Sequence, residues 1–135
     1  MNKLLLALGC AIAMTGSALA GNAEVAATQR PATKAEIAGI LEGIRNTLHD
    51  PYSIRDAEIS GVMTHKDAFG GVSIMVCVRA NAKNRYGAYT GKQTYLIHLN
   101  NQGRALRANQ DMFAQALCRY SAWRPFTEVK QLQNL

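Results

Sequence analysis

Several features that catalytic and metal-binding chains carry are missing from this sequence. It contains no CxxC, HExxH or HxxxH spacing, and its three histidines stand far apart, so the clustered ligands that zinc needs are not assembled locally. His65 and Asp67 are the only close pair of candidate ligands, and His49 and Asp50, neighbours at a helix end, point apart. No metal site is expected. No glycine-rich loop follows a strand and opens a helix, so nucleotide phosphates have no cradle and no cofactor is implied. Acids are scarce, nine against fifteen Lys and Arg. The pair of carboxylates that glycoside hydrolysis requires could come only from Asp56, Glu58 and Asp67. Asp56 and Glu58 alternate onto one strand face and read as solvated neighbours. There are no internal repeats, and the longest apolar run falls short of the about 20 residues that span a bilayer.

That run lies at the N-terminus, MNKLLLALGCAIAMTGSALAGN, and has the layout of a secretory signal peptide. Lys3 forms the charged region, Leu4 to Met14 the apolar region, and Ala18-Leu19-Ala20 the small residues before a cleavage expected after Ala20. Leu8-Gly9-Cys10 offers a second reading as a lipoprotein signal, with Cys10 the lipidated residue, but its apolar region would hold about six residues against the usual 7 to 15. Either reading sends the chain to the cell envelope, with a periplasmic location for the first. What remains after residue 20 suffices for one small domain and no membrane span.

The charge is unevenly placed. From Gly21 to Val76 there are five bases and seven acids, whereas from Cys77 onward nine bases face only Asp111 and Glu128. In the cytosol a basic half would suggest nucleic acid. Export removes that partner and leaves anionic envelope components, such as lipid head groups and wall polymers, or another envelope protein. A solvated basic face that aids solubility accounts for the same charge.

After residue 20 two cysteines are left, Cys77 and Cys118, an even count for which an oxidising compartment favours a disulfide. Closing so long a loop would stabilise the domain by about 4 kcal/mol on a chain-entropy argument. The alternative is one buried and one free cysteine.

Along the chain, Gly21 to Pro31 shows no periodicity, so residues 21–32 read as a flexible lead-in to a domain over 33–126. Thr33-Lys34-Ala35-Glu36 is a capping box, followed by Ile37, Ile40, Leu41, Ile44 and Leu48 on one helical stripe that Asp50-Pro51 ends. Ser53 to Met63 is a weakly alternating strand, and Asp67 to Gly71 a turn. In the strongest strand Val72, Ile74, Val76, Val78, Ala80 and Ala82 face the core, with Ser73, Met75, Cys77, Arg79, Asn81 and Lys83 opposite. Lys92 to Leu99 is the next strand, Asn100 to Gly103 a turn, and Arg104 to Arg107 a short edge strand. Asn109 to Tyr120 reads as a helix with a stripe of Met112, Phe113, Ala116, Leu117 and Tyr120. Trp123 and Phe126 dock a tail, 127–135, that frays. Strands joined by short loops, flanked by an N-terminal and a C-terminal helix, predict an α+β domain of two layers with a small antiparallel sheet of three to four strands.

Two places could carry function. Cys77 and His98, on adjacent strands, would make a thiol or histidine hydrolase if a base lay against a nucleophile. The stretch NAKNRYGAYTG, Asn81 to Gly91, places Asn81, Lys83, Asn84, Arg85, Tyr86 and Tyr89 between two core strands. With Arg79, Lys92 and Tyr95 it offers aromatic faces amid cations, suited to an anionic head group or a sugar. The plainer reading is a hairpin whose Asn84 and glycines build the turn while its tyrosines pack across it. The expected function is therefore a non-catalytic binding or structural module with a basic hairpin face, the small envelope hydrolase being the alternative.

Over residues 45–99 the sequence resembles a group of short exported proteobacterial proteins of unknown function. These share an Asp-Pro-x-Ser-x-Arg step after a helix, matched by Asp50-Pro51-Tyr52-Ser53-Ile54-Arg55. They also share a cysteine strand running into Asn-Ala-Lys-Asn, an aromatic, Gly-Gly-Tyr and Gly, matched by Cys77, Asn81-Ala82-Lys83-Asn84, Tyr86-Gly87-Ala88-Tyr89 and Gly91. Val78 and Ala88 stand where that group has glycine. The resemblance implies an envelope protein and brings no activity.

Overall fold

The computed structural model describes residues 17–133. Lys3, the apolar region and Cys10 lie outside the described residues, and the expected cleavage point after Ala20 falls within the first helix, α1 (Ser17–Ala27).

The second helix, α2 (Lys34–Thr47), begins where the capping box predicts. Thr33 Oγ1 accepts from the Glu36 amide at 3.2 Å, and the Glu36 carboxylate accepts from the Thr33 amide at 2.8 Å. Arg30 then closes a two-pronged ion pair on the same carboxylate, at 2.7 and 2.9 Å. Arg30 and the Thr33 amide together hold the buried Glu36 carboxyl down at about 2. Ile40, Leu41 and Ile44 are buried as the stripe requires, with Gly39 and Gly43 beside them. The helix ends at Leu48, and Pro51 opens a short 3₁₀ turn, Pro51–Ser53, with its fixed φ suited to the first position.

Five antiparallel strands follow: β1 (Arg55–Lys66), β2 (Val72–Asn81), β3 (Gln93–Leu99), β4 (Ala105–Asn109) and, after the third helix α3 (Met112–Cys118), β5 (Arg124–Pro125). Their order across the sheet is β4-β3-β2-β1-β5. The mixed α+β class and antiparallel sheet agree with expectation, but the three to four strands become five. The added strand is two residues long and contains a proline, so it has no alternation to read. The alternation of β1 is weak for a physical reason. Its register slips between Arg55 and Glu58 and again between Ile59 and Val62, and each bulge resets which face a side chain takes. At the first bulge Asp56 has a positive φ of 53°. At the second, Ser60 accepts from the Cys77 amide at 2.9 Å, which satisfies a donor the slipped ladder leaves over.

The sheet is not half of a two-layer sandwich, because both of its faces are covered. Ile59, Val62, Val76, Val78, Ile97 and Leu99 pack against α2. On the other side Met63, Met75, Cys77 and Leu96 pack with Ala26 of α1 and Ala114, Leu117 and Cys118 of α3. Burial of Met75 and Cys77 makes β2 apolar on both faces, so the face opposite Val76 was only partly polar. The Cys77–Cys118 disulfide, Cα–Cα 5.7 Å, fastens α3 to the middle of that second face. The buried stripe of α3 is Ala114, Leu117 and Cys118, whereas Met112 and Phe113, expected inside, are exposed.

The two chain ends also depart from the sequence reading. Residues 21–32 are not a free lead-in, since α1 covers the first part and residues 28–30 run along the outer edge of β1. Arg30 and Val62 exchange backbone hydrogen bonds of 2.7 and 3.1 Å, and Thr28 Oγ1 accepts from the Thr64 amide. Gln29 accepts with one carboxamide oxygen from both Gly61 and Ala122. Past Phe126 the chain stays in the core rather than fraying. Val129 and Leu132 join the α2 cluster, α4 (Lys130–Gln133) follows, and Gln133 donates to the Ile54 carbonyl at 2.9 Å.

Candidate binding cleft at the basic hairpin

The loop from Asn81 to Gly91 joins β2 to β3 and is held from within and from outside. Inside it, Asn84 acts as the turn residue: its side-chain oxygen accepts from the amides of Tyr86 at 2.9 Å and Ala88 at 3.2 Å. Its backbone exchanges bonds with Ala88 and Gly87, and Lys83 pairs with Tyr89 across the loop. Gly87 and Gly91 take positive φ, 74° and 102°, and Ala88 does not, so the alanine at that position fits the turn without strain.

From outside, the Asp50–Arg55 step clamps the loop. Ser53 Oγ donates to the Asp50 carbonyl and accepts from the Lys83 amide, both at 2.8 Å. The Tyr89 hydroxyl donates to the Ser53 carbonyl at 2.7 Å, and the Arg55 guanidinium lies 3.6 Å from the Tyr89 ring centroid. The Asp50–Arg55 step and the 81–91 loop thus meet in space through contacts at least 30 residues apart in sequence. Sequence reasoning quoted Ser53 and Arg55 in a motif but assigned them no role, because the contact between a 3₁₀ turn and a hairpin tip has no local periodicity.

The predicted site residues separate into three groups. Asn81, opposite Arg55 in the β1–β2 register, is buried, and its side-chain oxygen has no hydrogen-bond partner. Asn84 and Tyr89 hold the loop. Lys83 and Arg85 lie on the rim of an open cleft of about 550 Å³ that also takes in Leu48, His49, Thr90 and Gln93, with no acidic residue in its lining. Among the described residues neither Lys83 nor Arg85 forms an ion pair with a carboxylate. Lys83 sits 5.8 Å from the Tyr89 ring and Arg85 5.8 Å from the Tyr86 ring, which is 83% exposed.

The other cations proposed for this face are already engaged. Arg79 grips Glu58 through two hydrogen bonds, 2.7 and 3.0 Å, and Lys92 reaches the same carboxylate at 2.7 Å. Arg79 also lies 4.3 Å from the Trp123 ring centroid. Hydrogen bonds from Arg79, then Lys92, hold the Glu58 carboxyl down at about 2, which unfits it as a proton donor near neutral pH.

Cys77 is bonded to Cys118 and completely buried, so its sulfur offers no thiolate. His98 lies across from Met75, and Leu96 across from Cys77, which makes the proposed catalytic pair diagonal neighbours. His98 Nε2 is buried without a hydrogen-bond partner. Burial, followed by the charge of Arg107, pushes its pKa below the usual imidazole value, with Asp111 opposing. Among the described residues no three His, Cys, Asp or Glu side chains come together as a metal-ligand set, and no helix is long and apolar enough to cross a membrane. No family profile, curated protein or solved structure matches the chain.

Proposed function

We propose that the protein is exported to the cell envelope, with cleavage after Ala20, and that the cleft beside the 81–91 loop binds an anionic envelope component. The observation that carries this reading is the place, among the described residues, of two unpaired cations in a cleft without acids. Arg30, Arg79, Lys92 and Arg124 are spent on carboxylates, while Lys83 and Arg85 are held at a concave, acid-free rim by a loop fastened at Ser53 and Tyr89. A fastened loop loses little further entropy on binding, and a cation near an anionic surface contributes about 1 kcal/mol. The disulfide and the N-terminal pattern support export.

Removing both cations should weaken binding by roughly thirtyfold on that figure, and charge reversal by more. Lys83→Glu/Arg85→Glu and the parent protein would be compared in co-sedimentation with phosphatidylglycerol and phosphatidylcholine vesicles. Selective loss on the anionic vesicles, with an unchanged melting temperature, is expected. Equal binding by both proteins would remove the cleft from consideration. Mass spectrometry of the exported protein should find Gly21 as its first residue, and a lipid-modified Cys10 would refute the cleavage site.

A further inference from the structure

The cleft beside the 81–91 loop offers a ligand more than two cations. Its volume of about 550 Å³ falls within the about 300 to 1,000 Å³ that small-molecule ligands fill, and leaves room beyond a lone anionic group. Leu48, Ala80, Ala82 and Tyr95 give its lining an apolar part, and Thr47, His49, Thr90 and Gln93 a neutral polar part. Gln93 lies opposite Ala80 and Tyr95 opposite Val78 in the β2–β3 register, so a hydrogen-bonding group and an aromatic ring stand two residues apart on one face of the sheet. The four polar residues are exposed. None of them takes part in fastening the loop, which Ser53, Asn84 and Tyr89 do. Behind the apolar part the core is closed, since only about 10 Å³ is left between Ile44, Leu48, Val78 and Ile97, space for about one water molecule.

A closed core leaves an alkyl chain nowhere to go, and a bare anion would leave the neutral polar side chains unused. A sugar ring matches both parts of the lining, because it carries hydroxyls at its edges and apolar C–H groups on its faces, which pack on an aromatic ring. Resting on the anionic-ligand reading of the cleft, we infer that the ligand is an anionic saccharide, whose phosphate or carboxylate meets Lys83 and Arg85 while its hydroxyls bond to Thr90 and Gln93 and a ring face lies on Tyr95. Lys83, Arg85 and Thr90 belong to the fastened loop and Gln93 opens β3, so the partners for charge and for hydroxyls are presented as one preformed unit. Each neutral hydrogen bond contributes about fivefold in affinity. Two of them place a charged sugar about 25-fold above its charged group alone.

Two pairs of probes test this by titration of the purified protein, followed through its amide proton and nitrogen NMR shifts. Methyl phosphate is compared with glucose 6-phosphate, and acetate with digalacturonate, so that the pair showing the sugar advantage identifies the charged group. The sugar-bearing member of at least one pair should bind about 25-fold more tightly than its partner, with shifts at residues 83–95. Thr90→Val and Gln93→Ala should each remove about fivefold of that advantage and leave methyl phosphate and acetate unchanged. Lys83→Ala/Arg85→Ala should weaken all four probes. Binding of methyl phosphate or acetate with no sugar advantage in either pair would overturn the saccharide inference alone. An advantage that survives both Thr90→Val and Gln93→Ala would also overturn it. Absence of binding by every probe would overturn the cleft reading with it. The comparison within each pair on the parent protein decides the matter even if a variant does not fold.

Discussion

Replacing Gly39 by alanine should destabilise this protein, although every local rule says that it should help. Gly39 lies in the middle of α2, where exchanging glycine for alanine ordinarily stabilises a helix by about 1 kcal/mol. Here the added methyl would overlap the Gly103 carbonyl oxygen, and would lie 2.9 Å from the Gly103 carbonyl carbon and 3.0 Å from the Arg104 Cα. All three atoms are backbone. The turn that holds them cannot give way cheaply. Asn100 accepts with its side chain from the Gln102 and Arg104 amides at 2.9 Å, and its backbone pairs with Gly103 and Arg104. Gly103 has a φ of +80° and backs directly onto the Ala35–Glu36 peptide. The helix must therefore tilt away from β4 and open the core around Ile40. Overpacking of this kind costs about 1 to 3 kcal/mol, and backbone on both sides places the cost at the upper end. Setting the propensity gain against it leaves a net loss of about 1 to 2 kcal/mol. Urea denaturation followed by far-UV circular dichroism would measure it, with Asn46→Ala, exposed on the same helix, as the control. That control should be neutral or stabilising by a few tenths of a kcal/mol. A Gly39→Ala protein at least as stable as Asn46→Ala would show that α2 does not lie against the 100–103 turn.

Three further outcomes are expected. Reducing the Cys77–Cys118 bridge, or replacing both residues by alanine, should lower stability by about 4 kcal/mol, as estimated from a sequence separation of 41. A denaturation midpoint insensitive to reductant would contradict the bond. On acidification stability should fall in two stages. His98, whose folded pKa lies below the unfolded value of 6.5, resists protonation in the folded state, so its part is lost as pH falls below about 6.5. Glu36 lies at about 2 when folded and 4.5 unfolded. Its part, about 2 kcal/mol after allowing for the 45% exposure of the Arg30 side chain, is present above pH 4.5 and lost on descent toward 2. Glu36→Gln should make the lower stage shallower, Glu58 still contributing to it, and an unaltered acid profile would count against the Arg30 pair. Tyr89→Phe removes one hydrogen bond, worth about 1 kcal/mol, from the clamp on the hairpin. Amide exchange at Lys83 and Asn84 should quicken while the global melting temperature moves little, and unchanged exchange would mean that Ser53 and Arg55 suffice without it.

Much of the structure that depends on neighbours in sequence was legible from the residues, although the buried stripe of α3 was not. Thr33 and Glu36 announce the start of α2, and the alternation from Val72 to Ala82 announces β2. Asn100 and Gly103 mark their turn, and two remaining cysteines in a chain with an export-type N-terminus point to one bond. Each signal rests on a hydrogen bond or a periodicity spanning a few residues, except the disulfide, which rests on counting. Tertiary packing decided everything that needs two distant segments to meet. The bulges of β1 hid its faces, and burial of Met75 and Cys77 turned an expected two-layer domain into a sheet covered on both sides. Residues without periodicity, Thr28 to Arg30 and Thr127 to Leu132, became an edge cover and part of the core because exposed backbone and an open hydrophobic face were there to take them. The candidate site divides in the same way. Lys83 and Arg85 could be named from the chain, but their freedom from carboxylates and the clamp of Ser53 and Tyr89 arise only when the 3₁₀ turn, the hairpin and the sheet are brought together.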